Sequence, residues 1–331
     1  MFKTSFLHGQ GLGNQLWAYA ACRGIAKYHN VPFAITGIQN FKGRSFLNID
    51  LATDDFIPDH EHRDLTNSFR SFHEALYYDP ELSYFASSYD SRVEHIDYNV
   101  DLCGLFQSEK YLYGNISDLR SWISLHPTFL AEINPFRETC VLNLRGGEYK
   151  RHKNLILPKS YWLNAIKNIK RCIGIDKFII VTDDPRYASA FLPGITVLRG
   201  GIAECYSALH CAAAIVVSNS SFSYFPIKTR SDQPFVIAPM YWSRFANKYC
   251  RWASPSNIYT NWLWQDFQGS LSSYEACILN ASLTDLYYLE QCTVLSPASA
   301  FTPSPRFPFL TSAQRRLAKH ILSIFFPRLI G

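Results

Sequence analysis

No run of about 18 apolar residues occurs in the chain, so no segment reads as a transmembrane helix. Cysteine is scattered and odd in number: nine residues, no pair at CxxC spacing, and His210–Cys211 standing alone. That argues against a zinc site and against a disulfide framework. Charge of one sign is missing as well. Thirty-two Lys and Arg stand against 27 Asp and Glu, a formal charge of +5. This is too mild for a nucleic-acid footprint, and it suits an anionic small ligand or an anionic membrane surface. No internal repeat or low-complexity segment is visible. The opening MFKTSFLHGQGLGNQ has too short an apolar part for a signal peptide. Together these absences predict a cytoplasmic protein with reduced thiols and no nucleic-acid partner.

What is present is enough apolar side chain for a sizeable core: 47% of 331 residues are hydrophobic and 15% aromatic. That length suits two domains. The patterning predicts a strand at 4–7, a glycine turn, a helix at 14–28 and a strand at 31–35. From 42 to 98 aromatics and charges mix without a period, which reads as short helices and loops. The second half alternates cleanly. Strands are expected at 140–144, 178–181, 195–198, 214–217 and 235–238, with helices at 161–173, 186–191 and 202–211. Strands alternating with helices predict a parallel α/β sheet. In such sheets ligands bind at the carboxyl ends of the strands.

Three polar clusters lie at strand ends or turns. The first is GQGLGNQ, with Gly9, Gly11 and Gly13 ahead of Asn14 and Gln15. Glycines let a ligand approach backbone, and a helix start offers free N–H groups. A plain tight turn is the other reading. The spacing is not GxGxxG, because Asn14 stands where the third glycine belongs, so a dinucleotide site is disfavoured. The second cluster is NLRGGEYKRHK. Arg145 follows a strand, and its planar fork suits a phosphate. An Arg145–Glu148 ion pair in a solvated loop is the alternative. The third is SNSSFSYF at 218–225, where hydroxyls and N–H groups can bind phosphate without a metal, or where a serine simply caps a helix. TDDP at 182–185 reads equally as a cation ligand or a helix cap. No DxD occurs, so no metal is assigned.

These stretches resemble the bacterial α-1,2-fucosyltransferase family. GQGLGNQLWAYAA is similar to its GGLGNQ loop and YA-rich helix, and GLFQSEKY at 104–111 to its GxxQSEKY segment. NLRGGEY with LPKSYW stands in the place of HxRRxDY and LPxxYY. TDD, SNSSFSYF and IAPMYW at 237–242 complete the order, over about residues 4 to 265. The resemblance implies a GT-B-like α/β fold, with two Rossmann-like domains facing across a cleft. It places an acceptor-side domain at 1–135 and a nucleotide-sugar domain at 136–290. It implies inverting, metal-independent transfer of fucose from GDP-fucose to a sugar hydroxyl of an oligosaccharide or lipid-linked glycan, without a cofactor. Arg145, Glu148 and Asn14 become the catalytic candidates, with His8 a further possible base. Gly11, Gly13, Gln15, Asn143, Gly146, Ser218, Asn219, Ser220, Ser221 and Phe222 become the substrate-binding candidates. The chain departs from the pattern where Asn143 replaces the histidine, Gly146 the second arginine and Glu148 the aspartate. Those departures leave room for another GDP-6-deoxysugar, or for a non-catalytic relative that binds a nucleotide or glycan.

Outside the resemblance, residues 291–331 read as a linker with prolines at 297, 303, 305 and 308, then a C-terminal amphipathic helix. Leu317, Ile321, Ile324 and Phe325 share one face, with Arg315 and Lys319 opposite. Such a helix suits an anionic membrane surface through 312–331, or packing on the protein's own body.

Overall fold

The computed structural model describes residues 1–50, 69–131 and 136–295. Within them the chain forms two compact α/β units. One comprises Met1–Phe41, Leu51–Tyr113 and the chain from Asp285; the other comprises Lys42–Asp50 and Gly114–Thr284. The units are therefore not the contiguous stretches 1–135 and 136–290 suggested by the sequence. A short antiparallel pair explains part of the difference, because Leu47–Ile49 pairs with Ile123–Leu125 inside the second unit. The proline-rich linker and the C-terminal helix expected at 312–331 lie outside the described residues. Among those described, no helix is long and apolar enough to cross a membrane. All nine cysteines are free thiols.

In the first unit, β1 (Phe2–Ser5), β2 (Phe33–Thr36), β3 (Arg70–His73) and β4 (Val100–Cys103) form a parallel sheet in the order β2-β1-β4-β3. The β1-to-β2 crossover is α1 (Leu12–Tyr28), which buries Leu16, Trp17, Tyr19, Ala20, Cys22 and Ile25. The stretch from 42 to 98, expected as short helices and loops, holds a short helix at Ser91–His95 but also contributes strands. Besides β3 they are Leu47–Ile49, Leu76–Asp79 and Tyr84–Ser87, and Leu76–Asp79 also pairs with Thr293–Leu295. These strands escape a periodicity search because β3 is a sheet edge with exposed Arg70 and Ser71, so no apolar run marks it.

Gly24, in the middle of α1, shows how closely this unit is packed. Alanine normally stabilises a helix interior over glycine by about 1 kcal/mol. Here a Cβ on Gly24 would overlap the Tyr111 carbonyl oxygen and lie 3.0 Å from Leu112 Cα. Backbone cannot rotate aside as a side chain does. Gly24→Ala is expected to destabilise by about 1–3 kcal/mol in urea unfolding. A variant as stable as the parent would refute this helix-on-turn contact.

The second unit holds the sheet that the alternation predicts. Its strands are β5 (Cys140–Leu144), β6 (Phe178–Thr182), β7 (Thr196–Val197), β8 (Ala214–Val217), β9 (Phe235–Pro239), β10 (Leu263–Gln265) and β11 (Leu271–Ser272). They lie in the order β7-β6-β5-β8-β9-β10-β11, parallel except for the last pair. Counted from β5, the first six run 3-2-1-4-5-6, the doubly wound order whose switch point falls between β5 and β8. β5 is buried along its length, and its alternate residues Cys140, Leu142 and Leu144 pack in a cluster with Tyr161, Trp162, Ala165 and Ile169 of α2 (Lys159–Ile173). Gly174, at φ +71, ends α2 by donating its N–H to the Lys170 carbonyl, a left-handed cap that glycine adopts without strain. The helices between the later strands are α3 (Pro185–Phe191), α4 (Ile202–Cys211) and α5 (Tyr224–Lys228). A final helix, α6 (Tyr274–Gln291), follows β11.

Candidate functional site

The switch point brings two of the predicted clusters to neighbouring strand ends. Asn143 of β5 is in register with Val217 of β8. Arg145 therefore follows one strand, and Ser218–Asn219–Ser220 follows the strand beside it. Alternation along β5 puts Asn143 on the face opposite Leu142 and Leu144. Asn143, Ser218, Asn219 and Ser220 are all buried.

Arg145 is held at its two ends. Its Nη1 lies 3.0 Å from Asp183 Oδ2, and its Nη2 donates to Glu148 Oε1 at 3.3 Å. The guanidinium also stacks 4.9 Å over the Tyr149 ring. Tyr149 in turn donates its hydroxyl to the Asn219 carbonyl at 3.2 Å, which ties the turn after β5 to the turn after β8. Tyr149 was not among the candidates, although it is the closing tyrosine of the NLRGGEY stretch. The ion pair with Glu148, left open above, is present. Glu148 itself is more than half exposed.

Gly146 and Gly147, which follow Arg145, have a local cause. A Cβ on Gly146 would lie 2.7 Å from Tyr187 Cδ1 and 2.9 Å from Asp184 Cβ, and one on Gly147 would overlap the Asp183 carboxylate. The Gly146 N–H donates to Asp183 Oδ1 at 2.9 Å. No arginine fits at 146 while the 183–187 turn stays where it is. Asp183 and Asp184 thus serve the turn. Asp184 caps α3 by accepting the Tyr187 N–H at 3.1 Å, and it pairs with Lys150, whose ammonium donates to it. That pairing holds the Asp184 carboxyl below the usual aspartate range.

On the β8 side, Ser220 caps the turn Ser221–Ser223 by accepting the Phe222 N–H at 3.4 Å. The Phe222 N–H, expected to face a ligand, is therefore used by the chain's own cap. Phe222 packs edge-on against Tyr206, and Ser221 opens the turn. Four buried polar atoms here have no hydrogen-bond partner among the described residues: Asn143 Oδ1, Arg145 Nε, Ser218 Oγ and Asn219 Oδ1. An unsatisfied buried polar group costs about 1–3 kcal/mol. Four such atoms at two adjacent strand ends mark a polar site rather than core.

The glycine-rich loop builds a separate arrangement in the first unit. Gly9 takes φ +79, and Gly11 precedes α1 in extended backbone with no side-chain cap among the described residues. A Cβ on Gly11 would meet no atom within 4 Å, so packing within the chain does not demand glycine there. Gly13 is buried in the first turn of α1, and His8, between β1 and that helix, is exposed. Gln15, expected to reach a substrate, is fully buried and donates to the Asn40 carbonyl at 2.8 Å, which anchors the turn after β2. Asn14 is half-buried, and its Oδ1 accepts from Gln107 Nε2 at 2.8 Å. GLGNQ and QSEKY, 93 residues apart at this pair, are thus in contact.

The QSEKY segment rests on a buried carboxylate that sequence reading did not find. Glu74 Oε2 accepts the Leu105 and Phe106 N–H groups at 2.8 Å each, and Oε1 accepts the Tyr111 hydroxyl at 2.9 Å. The Tyr111 oxygen accepts the Asp90 N–H at 2.9 Å. Burial, reinforced by nearby Asp90, pushes the Glu74 carboxyl up to about 7 against those three donors.

No protein-family model matches the chain, and no curated protein is similar to it in sequence. Among solved structures it is similar to the α-1,6-fucosyltransferase NodZ co-crystallized with GDP, at 12% identity over 82% of this chain and 97% of that one, with a TM-score of 0.43. The fucosyltransferase NodZ from Bradyrhizobium aligns at 12% identity over 68% and 91%, with a TM-score of 0.39. POFUT1 in complex with GDP-fucose aligns at 10% identity over 72% and 97%, with a TM-score of 0.42.

Proposed function

We propose that this chain is an inverting glycosyltransferase that moves L-fucose from GDP-fucose to a sugar hydroxyl, in α-1,2 linkage, during surface polysaccharide or O-antigen synthesis. The observation that carries the reading is the pair of polar turns at the switch point. Arg145 and Asn143 end β5, Ser218 and Asn219 end β8, and each contributes a buried polar atom without a partner. The ordered motif resemblance supplies the donor. When the sugar–phosphate bond breaks, negative charge grows on the departing diphosphate while the sugar becomes oxocarbenium-like. Fixed donors aimed at that charge lower the barrier. Arg145, stacked on Tyr149 and steered by Asp183, is the cation in this role, and no metal or cofactor is assigned. Glu148, exposed and one ion pair away, is the candidate base. Asn14, oriented by Gln107, is the candidate in the glycine-rich loop for contact with a sugar.

A second reading has its own support. Arg145 is shared between two carboxylates, which offsets its charge, so a relative that binds a nucleotide without turning it over is the alternative. A thermal-shift panel in EDTA separates these readings, using GDP, UDP, CDP, ADP and NAD. A ligand at ~100 times its dissociation constant adds about 2.7 kcal/mol. Stabilisation by GDP alone is expected, followed by fucose transfer from GDP-fucose. GDP stabilisation without turnover on any GDP-6-deoxysugar would favour the binding-only relative. Stabilisation by UDP or CDP alone would refute the donor assignment.

A further inference from the structure

α6 presents one face that the fold leaves bare. Cys277, Ala281, Thr284 and Tyr288 line its buried side. On the other side Leu279 is 69% exposed, Leu283 57%, Leu286 52% and Leu289 55%. Four leucines in a row along 18 residues of helix are more than scattered surface apolarity. The helix contains Glu275, Asp285 and Glu290, and no Lys, Arg or His. Asp285 is already engaged by Lys110 and by the Ser88 hydroxyl, so exposed Glu275 and Glu290 flank the leucine face.

We propose that this leucine face of α6 is the docking site of the chain's own C-terminal segment, residues 312–331. Three properties of the sequence match the face. The segment places Leu317, Ile321 and Ile324 at the same i, i+4, i+7 spacing as Leu279, Leu283 and Leu286, with Phe325 beside them. Two helices with matching rows of this kind interdigitate. Charge is complementary: Arg316 flanks the apolar row and can meet Glu275 or Glu290, Arg315 and Lys319 on the far face add to the segment's positive charge, and the segment has no Asp or Glu. A second copy of α6 would instead bring acid against acid. Reach is also sufficient. The described chain ends at Leu295, just past α6, and residues 296–311 span up to roughly 50 Å when extended. The leucine row is only about 15 Å long.

Limited trypsin digestion of the intact chain tests this at Arg315, Arg316 and Lys319. Cleavage there is expected to be slow in the wild type and at least tenfold faster in Leu283→Asp/Leu286→Asp. Both positions are more than half exposed, so an unchanged circular dichroism spectrum is expected of that variant. Ile321→Asp/Ile324→Asp is expected to give the same acceleration from the other partner, and it carries the test if the α6 variant fails to fold. Cleavage as fast in the wild type as in the variants overturns the proposal. So does slow cleavage that neither pair of substitutions relieves. Protection that appears only when phosphatidylglycerol vesicles are added would overturn it in favour of a membrane surface. A wild-type dimer that the α6 substitutions dissociate would overturn it in favour of a second copy.

Discussion

Between pH 4.5 and 7 the protein is expected to lose stability as pH rises, by an amount on the order of 3 kcal/mol assignable to one side chain, Glu74. Burial raises its carboxyl from the ordinary 4.5 to about 7. In this window the folded chain keeps a proton that the unfolded chain has already released. Stability therefore falls as pH rises. The contribution is fully present below 4.5, disappears through 7, and the curve is flat above. At 1.36 kcal/mol per pH unit, a shift of this size sets the order of magnitude. Glu74→Gln removes the titration and keeps the shape. Its carbonyl still accepts the Leu105 and Phe106 N–H groups, and its amide meets the Tyr111 hydroxyl, as a protonated Glu74 does. Whatever constant cost the amide brings, the stability gap between variant and wild type should move in the variant's favour by about 3 kcal/mol from pH 4.5 to pH 8. Urea unfolding at the two pH values measures it. Parallel pH curves for the two proteins would mean that Glu74 stays ionised throughout, its three donors outweighing its burial.

Glu74 also illustrates what a single sequence conceals. The second unit was legible because FIIV, AIVV and FVIA are continuous apolar runs and VLNL is broken only by Asn143, all in strands of a parallel sheet set off by helical periods. Arg145 and Ser218 were legible for the same reason, since a polar residue just after such a run lies at a carboxyl strand end. Tertiary pairing decides the first unit instead. Arg70–His73 is a strand only because Val100–Cys103 lies beside it. Glu74 holds Tyr111 from 37 residues away, and Asn14 meets Gln107 from 93. No local pattern encodes contacts at that separation. Gln15 marks the opposite limit. It belongs to a motif that suggests a ligand, yet it spends its amide on the Asn40 carbonyl in the core. Motif membership did not separate the residue that faces outward from the one that holds the loop.

On the function proposed above, replacing Arg145 with alanine is expected to reduce fucosyl transfer by about 10²–10³-fold and to abolish stabilisation by GDP. The fold should survive. Asp183 keeps its bond from the Gly146 N–H and is about a quarter exposed, so losing its cation does not strand a buried charge. A purely structural arginine predicts the reverse, lower stability with GDP binding intact. Arg145→Lys sharpens the comparison. An ammonium keeps the charge but lacks the planar fork that bridges Asp183 and Glu148 while stacking on Tyr149. Partial GDP stabilisation with poor transfer is the expected result. Glu148→Gln divides the remaining roles. It removes one of the two carboxylates that offset Arg145, so GDP stabilisation should persist or grow. If Glu148 takes the acceptor proton, transfer falls while GDP binding holds. If its part is only to steer Arg145, transfer stays within about tenfold of wild type, because Asp183 still orients the guanidinium.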